Sequence, residues 1–133
     1  MNSPQDIWSR YWIPAMEQYD KLSGRTPVRN YWMFIALTWM IRFLLIVLFA
    51  YLDITVGRYD WQALLNIYGI FVLIPTVTMT VRRLHDAGRS GWYILGLLVP
   101  IYGFFVLSML IQRGEPVANK WGPPPDEAPL QGA

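Results

Sequence analysis

The residues best suited to chemistry lie in one run, Val81-Arg82-Arg83-Leu84-His85-Asp86-Ala87-Gly88-Arg89-Ser90-Gly91-Trp92. It holds three of the chain's eleven Lys and Arg residues and its only His. Guanidinium forks match phosphate oxygens bidentately. Arg82, Arg83 and Arg89, joined by Arg25 and Arg29 upstream, therefore form a candidate site for anionic lipid headgroups or a phosphorylated ligand, with His85 and Asp86 beside them. Adjacent His and Asp can instead ligate a metal, and His can act as a general base. One such dipeptide is a weak signal. The chain has no second His and no Cys to complete a site, so the expectation is a protein that is not an enzyme, with no metal and no cofactor. A purely structural reading competes with the binding one: a basic hairpin between two membrane spans, closed by Gly88 and anchored by Trp92, that fixes topology.

Composition indicates what must position this run. Of the 133 residues, 54% are hydrophobic and 15% charged, against about 25% charged in a typical soluble domain. The deficit falls in three windows, which is the pattern of membrane spans. Seven Trp and eight Tyr suit aromatic belts at headgroup level. A net charge of +2 gives no reason to expect nucleic acid. Asp6, Glu17 and Asp20 precede the first apolar run, which is not the pattern of a cleavable signal.

The fold class expected is an all-α integral membrane protein, with three transmembrane helices after an N-terminal interfacial amphipathic helix and before an extended Pro-rich tail. Ser3 and Pro4 start the first helix as cap and first-turn residue. Ile7, Trp8, Tyr11, Trp12, Ala15, Met16, Tyr19 and Leu22 recur at helical spacing, opposite Arg10, Glu17, Gln18 and Lys21. That pattern suits a helix in the interface plane or one packed on its own protein, and Pro14 should kink it. Residues 1–30 thus form the helix and a basic turn, with Thr26 and Pro27 capping the first span. The spans fall at about 31–52, 61–81 and 92–110, each near the 20 residues a bilayer needs. Gly57 lies in the first connection, and Asp60 should cap the second span. In the turn after that span, Arg82 and Asp86 are spaced to pair, and Ser90 should cap the third span. That span contains Pro100 and Gly103. It is read as a kinked full span, with a segment that enters and returns as the alternative. The tail, 113–133, carries Pro116, Pro123, Pro124, Pro125 and Pro129 and is expected to be disordered or laid along the surface.

Arg42 sits mid-span, where a charge costs about 2.5–3.5 kcal/mol on insertion scales. The favoured reading is a hydrogen bond to the carbonyl of Phe71, freed by Pro75, and to the hydroxyl of Thr76. The functional alternative is a subunit of an oligomeric transporter or channel that uses Arg42, with Thr76, as intramembrane polar groups. Partners expected are membrane lipids, and a homo-oligomer or other membrane protein.

Orientation follows Lys and Arg in the flanks. With three spans, Arg10, Lys21, Arg25, Arg29, Arg82, Arg83 and Arg89 share one side, and Arg58, Arg113 and Lys120 the other. Seven against three puts the N-terminus and residues 82–91 in the cytoplasm. If the third segment re-enters, the contrast becomes nine against one.

Several motifs carry a resemblance. Gly24-Arg25, Arg29-Asn30-Tyr31-Trp32, the run Arg82 to Trp92, Gly114-Glu115-Pro116 and Asn119-Lys120-Trp121-Gly122-Pro123 resemble the bacterial inner-membrane family catalogued as domain of unknown function 805. The likeness extends from about Leu22 to Pro125. It implies a small multi-pass protein of the bacterial cytoplasmic membrane and implies no activity.

Overall fold

The computed structural model describes residues 4–55 and 60–125. Ser3 as a helix cap, the connection with Gly57 and Arg58, and the tail beyond residue 125 lie outside the described residues. Among the described residues the fold is all-helical, and its one isolated bridge pairs Asn119 with Gly122.

Two helices dominate: α3 (Val28–Thr55) and α4 (Trp61–Asp86). At 1.5 Å per residue they run about 40 Å, more than the roughly 30 Å of a hydrocarbon core. Only 11% of the apolar window of α3 and 28% of that of α4 is buried within the protein. Both helices are thus long and apolar enough to cross a membrane, and they are largely uncovered, unlike the central helix of a soluble domain. They run antiparallel. The Tyr31 hydroxyl lies 3.4 Å from that of Thr80, Tyr68 donates to the Thr38 carbonyl at 2.9 Å, and Phe49 stacks on Trp61 at 5.3 Å. Asp60 caps α4 as its position indicated, accepting from the Ala63 amide. Thr26 does not cap α3. Its amide donates to the Arg82 carbonyl at 3.1 Å and its hydroxyl points at Met79, so it ties the start of α3 to the end of α4.

The N-terminal segment is helical over α1 (Pro4–Ile7), a π turn (Trp8–Trp12) and α2 (Ile13–Glu17). Pro14 has no amide proton and crowds the carbonyl four residues back. The widened turn just before it, with the Ile13 amide bonded to the Trp8 carbonyl, absorbs that conflict where a kink was expected. One face buries Tyr11 and Ala15 against the bundle, while Trp8 and Ile13 stay exposed.

The third apolar segment is not one helix. It is a 3-10 segment (Gly91–Leu98) followed by α5 (Pro100–Ile111), broken at Val99. A residue before proline is pushed to extended backbone, and Val99 has φ −107° and ψ 116°. Gly96 then lets the chain double back: a Cβ there would stand 2.2 Å from the Tyr102 ring. The limbs reach about 16 Å and 18 Å, so neither crosses a bilayer alone. Both ends of this hairpin return to the polar end of α4, where Arg83 donates to the carbonyls of Leu110 and Gln112. The core lies at that same end, from Ala15, Tyr31, Phe34, Met79, Leu84, Val106, Met109 and Leu110.

Candidate functional site

The end of α4 is shaped by its glycine. Gly88 adopts φ +69°, a left-handed conformation open to glycine without strain. The Gly88 and Arg89 amides turn back onto the carbonyls of His85 and Leu84, closing the helix as expected. Ser90 then caps the 3-10 segment through the Trp92 amide. The last turn of α4 is thereby held rigid, with Arg83, Leu84, His85 and Asp86 all buried.

Asp86 organises what surrounds it. Arg25 places both Nε and Nη2 2.9 Å from Oδ1, and Arg83 donates from Nη1 to Oδ2. The side chains are almost completely removed from solvent: relative exposure is 0% for Arg83, 3% for Asp86 and 6% for Arg25. Two cations share one carboxylate, so the remaining donors need acceptors. The tail and the hairpin supply them. Arg25 donates to the Val117 carbonyl at 2.8 Å and to that of Glu115, and Arg83 takes the carbonyls of Leu110, at 3.1 Å, and Gln112. The Glu115 amide in turn donates to the Asp86 carbonyl at 2.8 Å. A buried charge is tolerated when paired and hydrogen-bonded; here every guanidinium nitrogen of Arg25 and Arg83 has a partner, and backbone carbonyls offset the one positive charge that Asp86 leaves unbalanced.

The expected pairing of Arg82 with Asp86 is not what forms. Arg82 lies on another face of the helix and donates to Gln18 Oε1 at 2.8 Å, in the segment following α2. Asp86 is turned inward, to Arg25 and Arg83. The expected cluster of five arginines therefore separates. Arg25 and Arg83 are inside, Arg82 is half-buried, and Arg29 and Arg89 are exposed, with Arg29 over the Tyr11 ring at 5.7 Å.

His85 does not face Asp86's carboxylate. Its Nδ1 lies 3.3 Å from the Gly24 carbonyl, which accepts only, so Nδ1 carries the proton. The imidazole stacks on Trp121, with centroids 4.4 Å apart and planes at 10°. Asn119 bridges the His85 carbonyl, at 3.0 Å, and Glu115 Oε2, at 2.7 Å. The described part of the tail, 113–125, is consequently folded onto the helix ends, which departs from disorder and accords with the other expectation, a tail laid along the surface. Lys120 lies over Trp121 at 4.3 Å. A cleft of about 290 Å³ opens between the turn before α3 and the tail, lined by Arg25, Pro27, Arg113, Glu115 and Pro124.

Sequence reasoning missed the tail's part in this site. The available signal was Gly114-Glu115-Pro116 and Asn119-Lys120-Trp121-Gly122, a set of non-periodic polar and aromatic residues after the last apolar segment.

Arg42 and Thr76 stand apart from this site and from each other. The Thr76 hydroxyl donates to the Val72 carbonyl in its own helix at 2.6 Å. The guanidinium of Arg42 lies against Gly69, where a Cβ would be 3.5 Å from Nη1. The expected bonds from Arg42 to Phe71 and Thr76 are absent, because Thr76 bonds back to Val72 and Gly69 offers the head its open space.

Residues 19–123 match the family model described as "Protein of unknown function (DUF805)". The chain belongs to this family. The match takes in the turn with Arg25, both long helices, the hairpin and the tail through Pro123, so the Arg25–Asp86–Arg83 triad falls inside the family's extent. Curated relatives agree. The chain is similar to "Inner membrane protein YhaH" of Escherichia coli K12, 33% identical over 126 residues, covering 90% of this chain and 98% of that one. It is also similar to "Inner membrane protein YhaI" of the same organism, 26% identical over 117 residues, covering 87% and 95%. No solved structure matches the chain. The family description gives no activity, and two apolar helices of spanning length accord with relatives named as inner-membrane proteins.

Proposed function

We propose that this family member crosses the cytoplasmic membrane twice, through α3 and α4, with the hairpin of residues 91–111 entering and leaving on one side. The N-terminal segment, the Arg82–Gly91 turn and the tail then share the cytoplasmic face. Two short limbs whose ends both reach Arg83 support this reading, and so does the charge balance, nine cations against one. A purified single-cysteine series tests it cleanly, since the natural chain has no Cys. Lys21→Cys, Arg89→Cys and Lys120→Cys should react with an impermeant maleimide from the same side, and Thr55→Cys from the other. Lys120→Cys labelling with Thr55→Cys would make the third segment a full span and end the two-span reading.

On that face we assign the protein a binding role, not catalysis: it holds anionic lipid headgroups through its outward cations. The observation that carries this is the division of the arginines. Each guanidinium nitrogen of Arg25 and Arg83 is bonded internally, whereas Arg29, Arg89, Arg113 and Lys120 are exposed without a carboxylate partner among the described residues. The four sit around one end of the molecule. Each contributes about 1 kcal/mol near an anionic leaflet, less with added salt. Both oxygens of Asp86 are occupied by guanidinium groups, which supports binding over general-base chemistry at the His85-Asp86 pair.

The test uses the chain's own tryptophans. In nanodiscs of mixed lipids, brominated phosphatidylglycerol should quench Trp fluorescence more than brominated phosphatidylcholine at equal mole fraction. Substituting Gln for Arg29, Arg89, Arg113 and Lys120 together should remove the difference. Equal quenching by both lipids in the natural protein would defeat the headgroup reading.

A further inference from the structure

Although the Tyr68 phenol lies near it, Arg42 has no counter-charge among the described residues. It lies at the midpoint of α3 (Val28–Thr55), half-buried, and forms no hydrogen bond or ion pair among the described residues. Its head rests in the notch that Gly69 leaves on α4. If α3 crosses the bilayer, the midpoint lies about 15 Å from either boundary. An arginine side chain leaning toward its own N-terminus covers about half of that, so Arg42 does not reach headgroup phosphates. The site is thus separate from the cytoplasmic cations.

A desolvated cation needs a counter-charge. The chain's nine carboxylates are Asp6, Glu17, Asp20, Asp53, Asp60, Asp86, Glu115, Asp126 and Glu127, and none falls in the central part of an apolar run. Asp53 comes nearest in α3, eleven residues on, or about 16 Å along the axis. A second copy of this chain brings the same set, at the same depths if parallel and at depths mirrored through the midplane if antiparallel, and in neither case is a carboxylate central. It therefore brings no carboxylate to the level of Arg42.

The surroundings are those of a helix-docking face. Trp39 and Ile46, one turn to each side of Arg42, are 66% and 44% exposed, and Leu73, one turn beyond Gly69, is 57% exposed. Small residues such as Gly69 let helices approach closely in lipid. We propose that the α3–α4 face around Arg42 receives a transmembrane helix of a different membrane protein, one that carries an Asp or Glu at mid-bilayer depth. The Arg42 guanidinium then donates to that carboxylate, while Trp39, Ile46 and Leu73 pack around the pair and exclude lipid.

A peptide probe tests this without knowledge of the natural partner. Full-length protein labelled at Lys21→Cys is reconstituted in phosphatidylcholine vesicles with acceptor-labelled polyleucine transmembrane peptides. One peptide has a central Asp, one is all Leu, and one has its Asp near an end. Energy transfer should show roughly tenfold tighter association with the central-Asp peptide than with the other two, the scale of a strong polar contact between helices in lipid. Arg42→Leu should abolish that preference, and Arg42→Lys should keep most of it. Arg42→Leu removes a mid-span charge, so it inserts at least as readily, and its far-UV circular dichroism verifies the fold. No preference for the central Asp, or a preference that survives Arg42→Leu, overturns the proposal. Transfer between two labelled copies of the protein that equals transfer to the central-Asp peptide also overturns it, by giving the face to a second copy. Omitting anionic lipid keeps the outcome independent of the headgroup reading.

Discussion

Replacing Asp86 with Ala should destabilise the folded protein by about 3–5 kcal/mol, the usual cost of removing one partner from a buried ion pair. The reason is what remains. Arg25 and Arg83 would stay buried, side by side, with no anion between them. Their other bonds go to backbone carbonyls of residues 110, 112, 115 and 117, which solvate a cation only in part. The protein has one way to relieve this, and it is to move the tail. Release of residues 113–125 gives Arg25 to water but strips Trp121 from His85 and opens the cleft. Asp86→Ala should therefore show two linked effects in detergent: a lowered unfolding midpoint, and protease cleavage in the tail under conditions where the natural protein resists. Asp86→Asn tests the charge alone, since the amide keeps the shape and can still accept from one guanidinium. It should fall between the two. A stability loss below about 1 kcal/mol for Asp86→Ala, with the tail still protected, would mean that the triad is incidental to the fold.

Replacing Arg25 and Asp86 together should cost less than the sum of the single changes. Once Asp86 is gone, removing a cation relieves repulsion. Such coupling separates a working ion pair from two residues that happen to be close.

Much of the fold could be read from residue types alone, and the reasons are local. The long spans follow from apolar runs of bilayer length. The caps at Asp60 and Ser90, and the left-handed closure at Gly88, follow from side chains that satisfy helix ends within a few residues. What escaped was tertiary. Arg82 and Arg83 are equivalent in composition, and only the rotation of the last turn of α4 decides that Arg83 faces Asp86 and Arg82 faces Gln18. The i,i+4 spacing of Arg82 and Asp86 permitted a surface pair, but Asp86 reached Arg25, sixty-one residues away in sequence. The third apolar segment was ambiguous for a related reason. Nineteen apolar residues are long enough to cross, and Pro100 is compatible with a kink. The close approach of Tyr102 to Gly96, which closes the hairpin, leaves no trace in periodicity. The tail's prolines and lack of apolar periodicity left it either disordered or laid along the surface. The bonds that hold it come from the residues between the prolines: the Glu115 and Val117 carbonyls accept from Arg25, while the Glu115 amide and the Asn119 side chain donate to carbonyls of α4.

Gly114→Ala should destabilise the fold by about 1–3 kcal/mol, the range for overpacking a filled site, although it adds a single methyl. A Cβ at Gly114 would stand 2.2 Å from Asp86 Oδ2 and 2.6 Å from Oδ1. Something must give. Asp86 has one methylene and two guanidinium groups fixing its carboxylate, so it has little freedom to turn. The tail backbone is tied at the next residue, where the Glu115 amide donates to the Asp86 carbonyl. Moving either breaks buried charge-assisted bonds, which are worth more than neutral ones. The decisive measurement is the same substitution in the Asp86→Ala background. There the carboxylate is absent and the new methyl enters the space it vacated, so Gly114→Ala should become nearly neutral. Equal destabilisation in both backgrounds would show that Gly114 is needed for some other reason, and that the tail is not seated on Asp86.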